Sequence, residues 1–152
     1  MRIAANLRQA MREMGEAAYP NEGCGIFLGR LGDEAEVLEV RRGTNLREQG
    51  GAVDLPSEKD ERVHSARDRY ILDPRDQLQA EKDARARGLE VVGFWHTHPD
   101  HPARPSQFDA DHAWAEYVYV IMAIDAGSQV DVTAWVLEGE DTPAFRPEPI
   151  TD

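Results

Sequence analysis

The sequence predicts an α/β fold, and three observations predict it. Short apolar or alternating runs that read as strands recur along the chain. Three segments with helical character are interleaved with them. No internal repeat and no linker-like stretch divides the 152 residues. A single domain over 1–152 is therefore expected, long enough to bury roughly two-thirds of the surface its unfolded chain exposes.

Taken in order, Ile3, Leu7, Ala10, Met14 and Ala17 recur at helical spacing among arginines and glutamates, which predicts an amphipathic helix laid on a sheet. "CGIFLGRL" and "AEVLEVRR" follow as two strands joined through Gly32-Asp33, a hairpin signal. Residues 43–69 carry almost no apolar periodicity and are expected to form a long polar insertion, a length uncommon without function or disorder. "YILD" reads as a strand. "PRDQLQAEKDARARG" reads as a helix, with Pro74 near its start and Gly88 just past its end. "LEVVGFWH" is apolar enough to be a central strand, and "SQFDADHAWAEY" a short helix. "VYVIMAID" predicts a buried strand and "VDVTAWVLE" an alternating edge strand, before an extended proline-rich tail.

Composition excludes several function classes. A net charge of −12 argues against nucleic acid and anionic membranes, both of which reward clustered Lys and Arg. The longest apolar run, "YVYVIMAI", falls far short of the roughly 20 residues a membrane span needs. The N-terminal segment lacks the apolar core and cleavage site of a secretory signal. One cysteine, Cys24, cannot form an internal disulfide, so a cytoplasmic setting is expected. At the start of an apolar strand, Cys24 reads as a buried small hydrophobe and not as a nucleophile.

Chemistry concentrates in "GFWHTHPDHPARPSQFDADHAW", residues 93–114, which hold four of the five histidines. Alternation along a strand turns His96 and His98 to one face. Two imidazoles so held suit a divalent metal, and a catalytic zinc needs a third protein ligand. Asp109 is the natural third, because the proline-rich turn folds the chain back and a helix starts at Ser106. A second reading stays open on spacing alone: two surface histidines, with Ser106 and Asp109 as an ordinary capping box. His101 and His112 read as solvated, and Trp95 and Trp114 as core.

"HTHPDHPARPSQFD" resembles the signature of the JAMM (MPN+, JAB) zinc metallopeptidases: His-[Ser/Thr]-His-Pro, then seven residues between His98 and a Ser that stands three before an Asp. "YPNEGCGIFLG" matches the glutamate that this family carries ahead of an apolar strand, at Glu22. The likeness runs over nearly the whole chain, including "DPRDQLQAEKDARARGLEVVGFWHTHP", and is greatest to small bacterial stand-alone members. It implies a mixed twisted sheet flanked by helices, the MPN/JAB fold, which is similar to that of cytidine deaminases. It also implies His96, His98 and Asp109 as ligands of one zinc per chain, with a water in the fourth position. Glu22 would be the general base that takes the water's proton, and Ser106 would stabilise the oxyanion. Nothing in spacing singles out Glu22 among 29 acidic residues; the resemblance alone names it.

By the same resemblance the expected function is a zinc-dependent peptidase or isopeptidase. It would cleave at the C-terminal Gly-Gly of a ubiquitin-like sulfur-carrier protein, for example releasing cysteine from a carrier–cysteine adduct. The connection 43–69 is longer than in similar members, which leaves the substrate more open than the chemistry. Three alternatives meet specific residues that oppose them. A non-catalytic MPN scaffold would lack a ligand or the glutamate, and none is missing. A zinc deaminase needs a P-C-x-x-C ligand set that one cysteine cannot supply. The DNA-repair-associated branch shows "HNHPSG" where this chain reads "HTHPDH".

Overall fold

The computed structural model describes residues 1–49, 67, 69–139 and 144–152. Seven strands form one sheet: β1 (Arg2–Ile3), β2 (Cys24–Arg30), β3 (Glu36–Arg42), β4 (Glu90–Pro99), β5 (Val118–Asp125), β6 (Ser128–Glu138) and β7 (Ala144–Glu148). Their spatial order is β1-β3-β2-β4-β5-β6-β7, with β1/β3 and β4/β5 parallel and the other neighbours antiparallel. Three helices accompany them: α1 (Ala5–Ala18), α2 (Pro74–Ala86) and α3 (Gln107–His112). The expected mixed sheet flanked by helices is therefore present, and β4 is its middle strand. Among the described residues no helix is long and apolar enough to cross a membrane.

The sheet separates two cores. On one face α1 buries Met11, Gly15 and Ala18, and Leu7 and Met14 pack beside Phe27, Val92, Trp95 and Met122. On the other, the small Ala80 and Ala84 of α2 sit close against Ile26, Leu28 and Val91. Strand alternation explains the division: Ile26 and Leu28 point to α2 while Phe27 between them points to α1. In β4 the alternation is reset once. Val92 and Gly93 together oppose Phe27, a bulge, so that Val91 and Phe94 face α2 while Val92 and Trp95 face α1.

Several expectations are corrected. Ile3 belongs to strand β1 and not to the first helix, and the buried stripe of α1 runs through Met11, Gly15 and Ala18 while Ala17 faces solvent. "YILD" is not a strand. Leu72 makes one bridge to Asn45, and Asp73 is committed to capping α2, its side chain accepting from Arg75 N at 2.8 Å. The third helix stops at His112, beyond which the Tyr119 hydroxyl accepts from Trp114 N at 2.7 Å. β6 is not the edge strand. The proline-containing β7 lies outside it, but pairs only with residues 134–138, so the first half of β6 keeps the exposed alternation of an edge. The hairpin, the α2 helix with Gly88 at φ 67°, and the buried β5 are as the sequence predicts. Of the polar segment 43–69, residues 50–66 and 68 lie outside the described residues; its start forms a 3-10 turn, Leu46–Gln49.

Candidate metal centre

The carboxyl end of β4 carries the chemistry. After the bulge, Phe94, His96 and His98 face the α2 side at the carboxyl end of the strand, while Thr97 points into the α1 core and is 0% exposed. Thr97 is held there on two sides. Its N–H donates to Gly23 O at 2.9 Å, and its hydroxyl accepts from Gly23 N at 2.8 Å. Gly15 of α1 passes so close that an added Cβ would meet Thr97 Cγ2 at 2.9 Å. With Thr97 fixed inside, both histidines must face the other way.

His98 donates from Nδ1 to Pro102 O at 2.9 Å. A carbonyl only accepts, so the proton sits on Nδ1 and the Nε2 lone pair is left facing inward. His96 is 1% exposed, and burial pushes its pKa down to about 4, so its ring is a neutral imidazole near pH 7. Tyr70 stacks on that ring with centroids 4.7 Å apart.

The third group arrives on α3. Ser106 is its N-cap and forms a full capping box: Asp109 N donates to Ser106 Oγ at 3.1 Å, and Ser106 N and Oγ donate to Asp109 Oδ2 at 2.6 and 2.7 Å. Only Oδ2 is used in this way. Oδ1 stands 3.2 Å from His96 Nε2. Capping and ligation are thus not rival readings of Asp109, since each takes a different oxygen. Burial raises the Asp109 pKa, but the neighbouring His96 and His98 rings and the bonds from Ser106 outweigh it and hold the carboxyl well below its usual range.

Three donors therefore converge: the two Nε2 atoms lie 3.0 Å apart, Asp109 Oδ1 lies 3.2 Å from that of His96, and the capping oxygen Oδ2 lies 3.7 Å from that of His98. A tetrahedral zinc with bonds of about 2.0–2.2 Å keeps its donors about 3.3 Å apart. Two imidazole nitrogens and a carboxylate oxygen fit that ion in donor type as well as spacing. Cys24 is no rival donor: burial, with Glu48 and Glu22 nearby, pushes its thiol up to about 12.

Glu22 is reached through β2. Cys24 pairs with His96, and the Gly23–Thr97 bonds carry that antiparallel register on, so Glu22 comes alongside His98 on the same face. It is 7% exposed, its backbone oxygen accepts from Asn45 Nδ2 at 3.1 Å, and its charge and that of Asp109 both bear on Tyr70. A cleft of about 360 Å³ opens beside His96 and Asp109, walled by Tyr70, Leu72, Phe94, Phe108, Trp114 and Tyr119. Trp95 is core, as expected, but Trp114 is 58% exposed on the cleft rim. His101 and His112 are exposed and stay outside the convergent group. Tyr70 and the Pro102 carbonyl were not legible in the sequence. Neither belongs to a spacing pattern: Pro102 arrives with the turn after β4, and Tyr70 with the segment just before α2.

A family model described as prokaryotic homologs of the JAB domain matches residues 4–138. A Thermus thermophilus protein named as a probable TtuB-protein conjugate cleaving protease is 33% identical over 107 residues, which are 70% of this chain and 58% of that protein. A desampylase from Haloferax volcanii is 37% identical over 57 residues, 37% of this chain and 41% of that one. The chain thus spans about half the length of these curated relatives. The solution structure of a Desulfitobacterium hafniense protein superposes with a TM-score of 0.74 at 28% identity, covering 98% of this chain and 90% of that one.

If the three donors act as a set, His96→Ala should abolish retention of divalent metal through gel filtration, while His101→Ala should leave it unchanged. Elemental analysis of both variants checks this; metal kept in full by His96→Ala would remove the ligand assignment.

Proposed function

Because this chain belongs to the prokaryotic homologs of the JAB domain, we propose that it is a JAMM-type zinc hydrolase acting after the C-terminal Gly-Gly of a ubiquitin-like sulfur-carrier protein. The observation that carries the proposal is the convergence of His96, His98 and Asp109 beside the cleft. The relatives named for cleaving protein conjugates and for desampylation support the substrate class. In the proposed reaction the carrier's terminal glycine is freed from cysteine, or from another amine, by hydrolysis. One domain over 1–152 carries the chemistry, and segment 43–69 makes the contact to the partner's folded body.

Zinc bound by the three donors would bring a water's pKa to about 7 and polarise the scissile carbonyl. Glu22 takes the attacking water's proton and hands it to the leaving amine or thiol. Ser106 turns its hydroxyl from Asp109 Oδ2 toward the developing oxyanion, while the Asp109 N–H keeps hold of its Oγ. The aromatic walls exclude water and admit a thin, extended segment. Gly-Gly is the thinnest available, having no side chains to clash.

Glu22→Gln keeps shape and hydrogen-bonding reach but cannot accept a proton. Zinc should be retained and hydrolysis should fall at least about 100-fold; near-normal turnover would show that Glu22 is not the base. Ser106→Ala removes both a cap and an oxyanion donor. Loss of the cap costs about 1 kcal/mol, whereas loss of the donor costs about 100- to 1,000-fold in kcat. A fall in melting temperature with unchanged kcat would leave Ser106 as a cap only. For the substrate, mass spectrometry of a carrier–cysteine adduct should show release of cysteine, and an analogue ending in Ala-Ala should resist. Equal cleavage of both, or efficient cleavage of generic unfolded peptides, would overturn the Gly-Gly assignment and leave the zinc chemistry standing.

A further inference from the structure

The orientation of His98 rests on one carbonyl, that of Pro102, in the turn between β4 and α3. Pro102 O is itself braced by Arg104 N, which donates to it at 2.8 Å. That N–H belongs to the same peptide plane as the carbonyl of Ala103. The Ala103 carbonyl accepts from Thr133 Oγ1 of β6 at 2.6 Å, and Thr133 Oγ1 accepts from Trp135 Nε1 at 2.8 Å. The directions are fixed by chemistry: an indole N–H only donates and a carbonyl only accepts, so the Thr133 proton must point at Ala103. Both ends of the Ala103–Arg104 peptide are therefore bonded, and the plane cannot rotate without breaking one of them. The Ala103 methyl, 1% exposed among Ile121, Ala123 and Trp135, leaves no slack beneath it.

We infer that Thr133 is a positioning residue for the metal centre. It acts from the opposite side of β5 by locking the peptide that braces Pro102 O, and so sets the tautomer and angle of the His98 ring. His96 makes the contrast plain, because its Nδ1 is buried without a hydrogen-bond partner among the described residues. Its ring is held by the strand and by Tyr70, whereas the His98 ring is held from outside the cluster by the relay through Thr133. The inference rests on the metal-centre reading above.

The test measures zinc affinity by chelator competition, and the visible spectrum of the cobalt-loaded protein, for wild type, Thr133→Val, Thr133→Ala and Thr133→Ser. Loss of an outer partner of a metal ligand weakens binding by about 10- to 100-fold. Acting two hydrogen bonds further out, Thr133→Val and Thr133→Ala should weaken zinc by about 10-fold and shift the cobalt bands, whereas Thr133→Ser should restore both. If the valine variant does not fold, the serine–alanine pair still differs by the hydroxyl alone. Equal affinity and spectra in serine and alanine variants would overturn the inference, whether both match wild type or both fall below it, since the hydroxyl would then do nothing. A wild-type chain that bound no metal would sink the metal centre itself, a distinct failure that the first measurement reveals.

Discussion

Which way the end of β4 faces is the constraint on which the site depends. A strand has only two faces, and a one-residue slip exchanges them. The bulge at Val92–Gly93 and the burial of Thr97 settle the choice together. Without the bulge, the parity that sends Val92 toward α1 would send His96 and His98 there too, two imidazoles in an apolar core. With it, Trp95 and Thr97 fill that core, and the histidines stand at the strand's carboxyl end beside the crossover to the parallel strand β5. Gly15 is the small residue that lets α1 close on Thr97, while Gly23, where an added Cβ would meet Ala18, bonds Thr97 through its backbone.

From that facing the remaining groups follow by short routes. The antiparallel pairing of β2 brings Glu22 alongside, and the turn after β4 brings α3 back over the strand end. The capping box that starts α3 also aims Asp109: Ser106 holds Oδ2, and Oδ1 is left toward His96. A buried carboxylate is costly to ionise unless bonded and paired. Here two bonds from Ser106 and the neighbouring imidazoles keep it ionised, which a cation at the same point would favour further.

Much of this was legible in the sequence, and the reasons are specific. α2 announced itself because Asp73, Pro74 and Gly88 perform local jobs that any helix needs. The convergence of His96, His98 and Asp109 was legible because strand alternation and a short proline-rich turn are local too, and the family to which the motif pointed is the one whose model matches residues 4–138. What failed was tertiary. Ile3 fits a helical period but is taken into β1 by pairing with Val37. The first half of β6 alternates like an edge because β7 is too short to cover it. Glu22 could be named only through the resemblance, since it is brought beside the cluster by a neighbouring strand. Thr133 and Pro102 carry no pattern at all, because their bonds exist only once β6 and the turn meet.

The most direct test of the central claim is an anomalous-scattering map of the zinc-loaded crystal, measured on both sides of the zinc edge. The account expects one strong peak between His96 Nε2, His98 Nε2 and Asp109 Oδ1, with bonds of about 2.0–2.2 Å and Glu22 outside the bonded set. A peak at His101 or His112, or one that uses Glu22 as a ligand in place of Asp109, would contradict it.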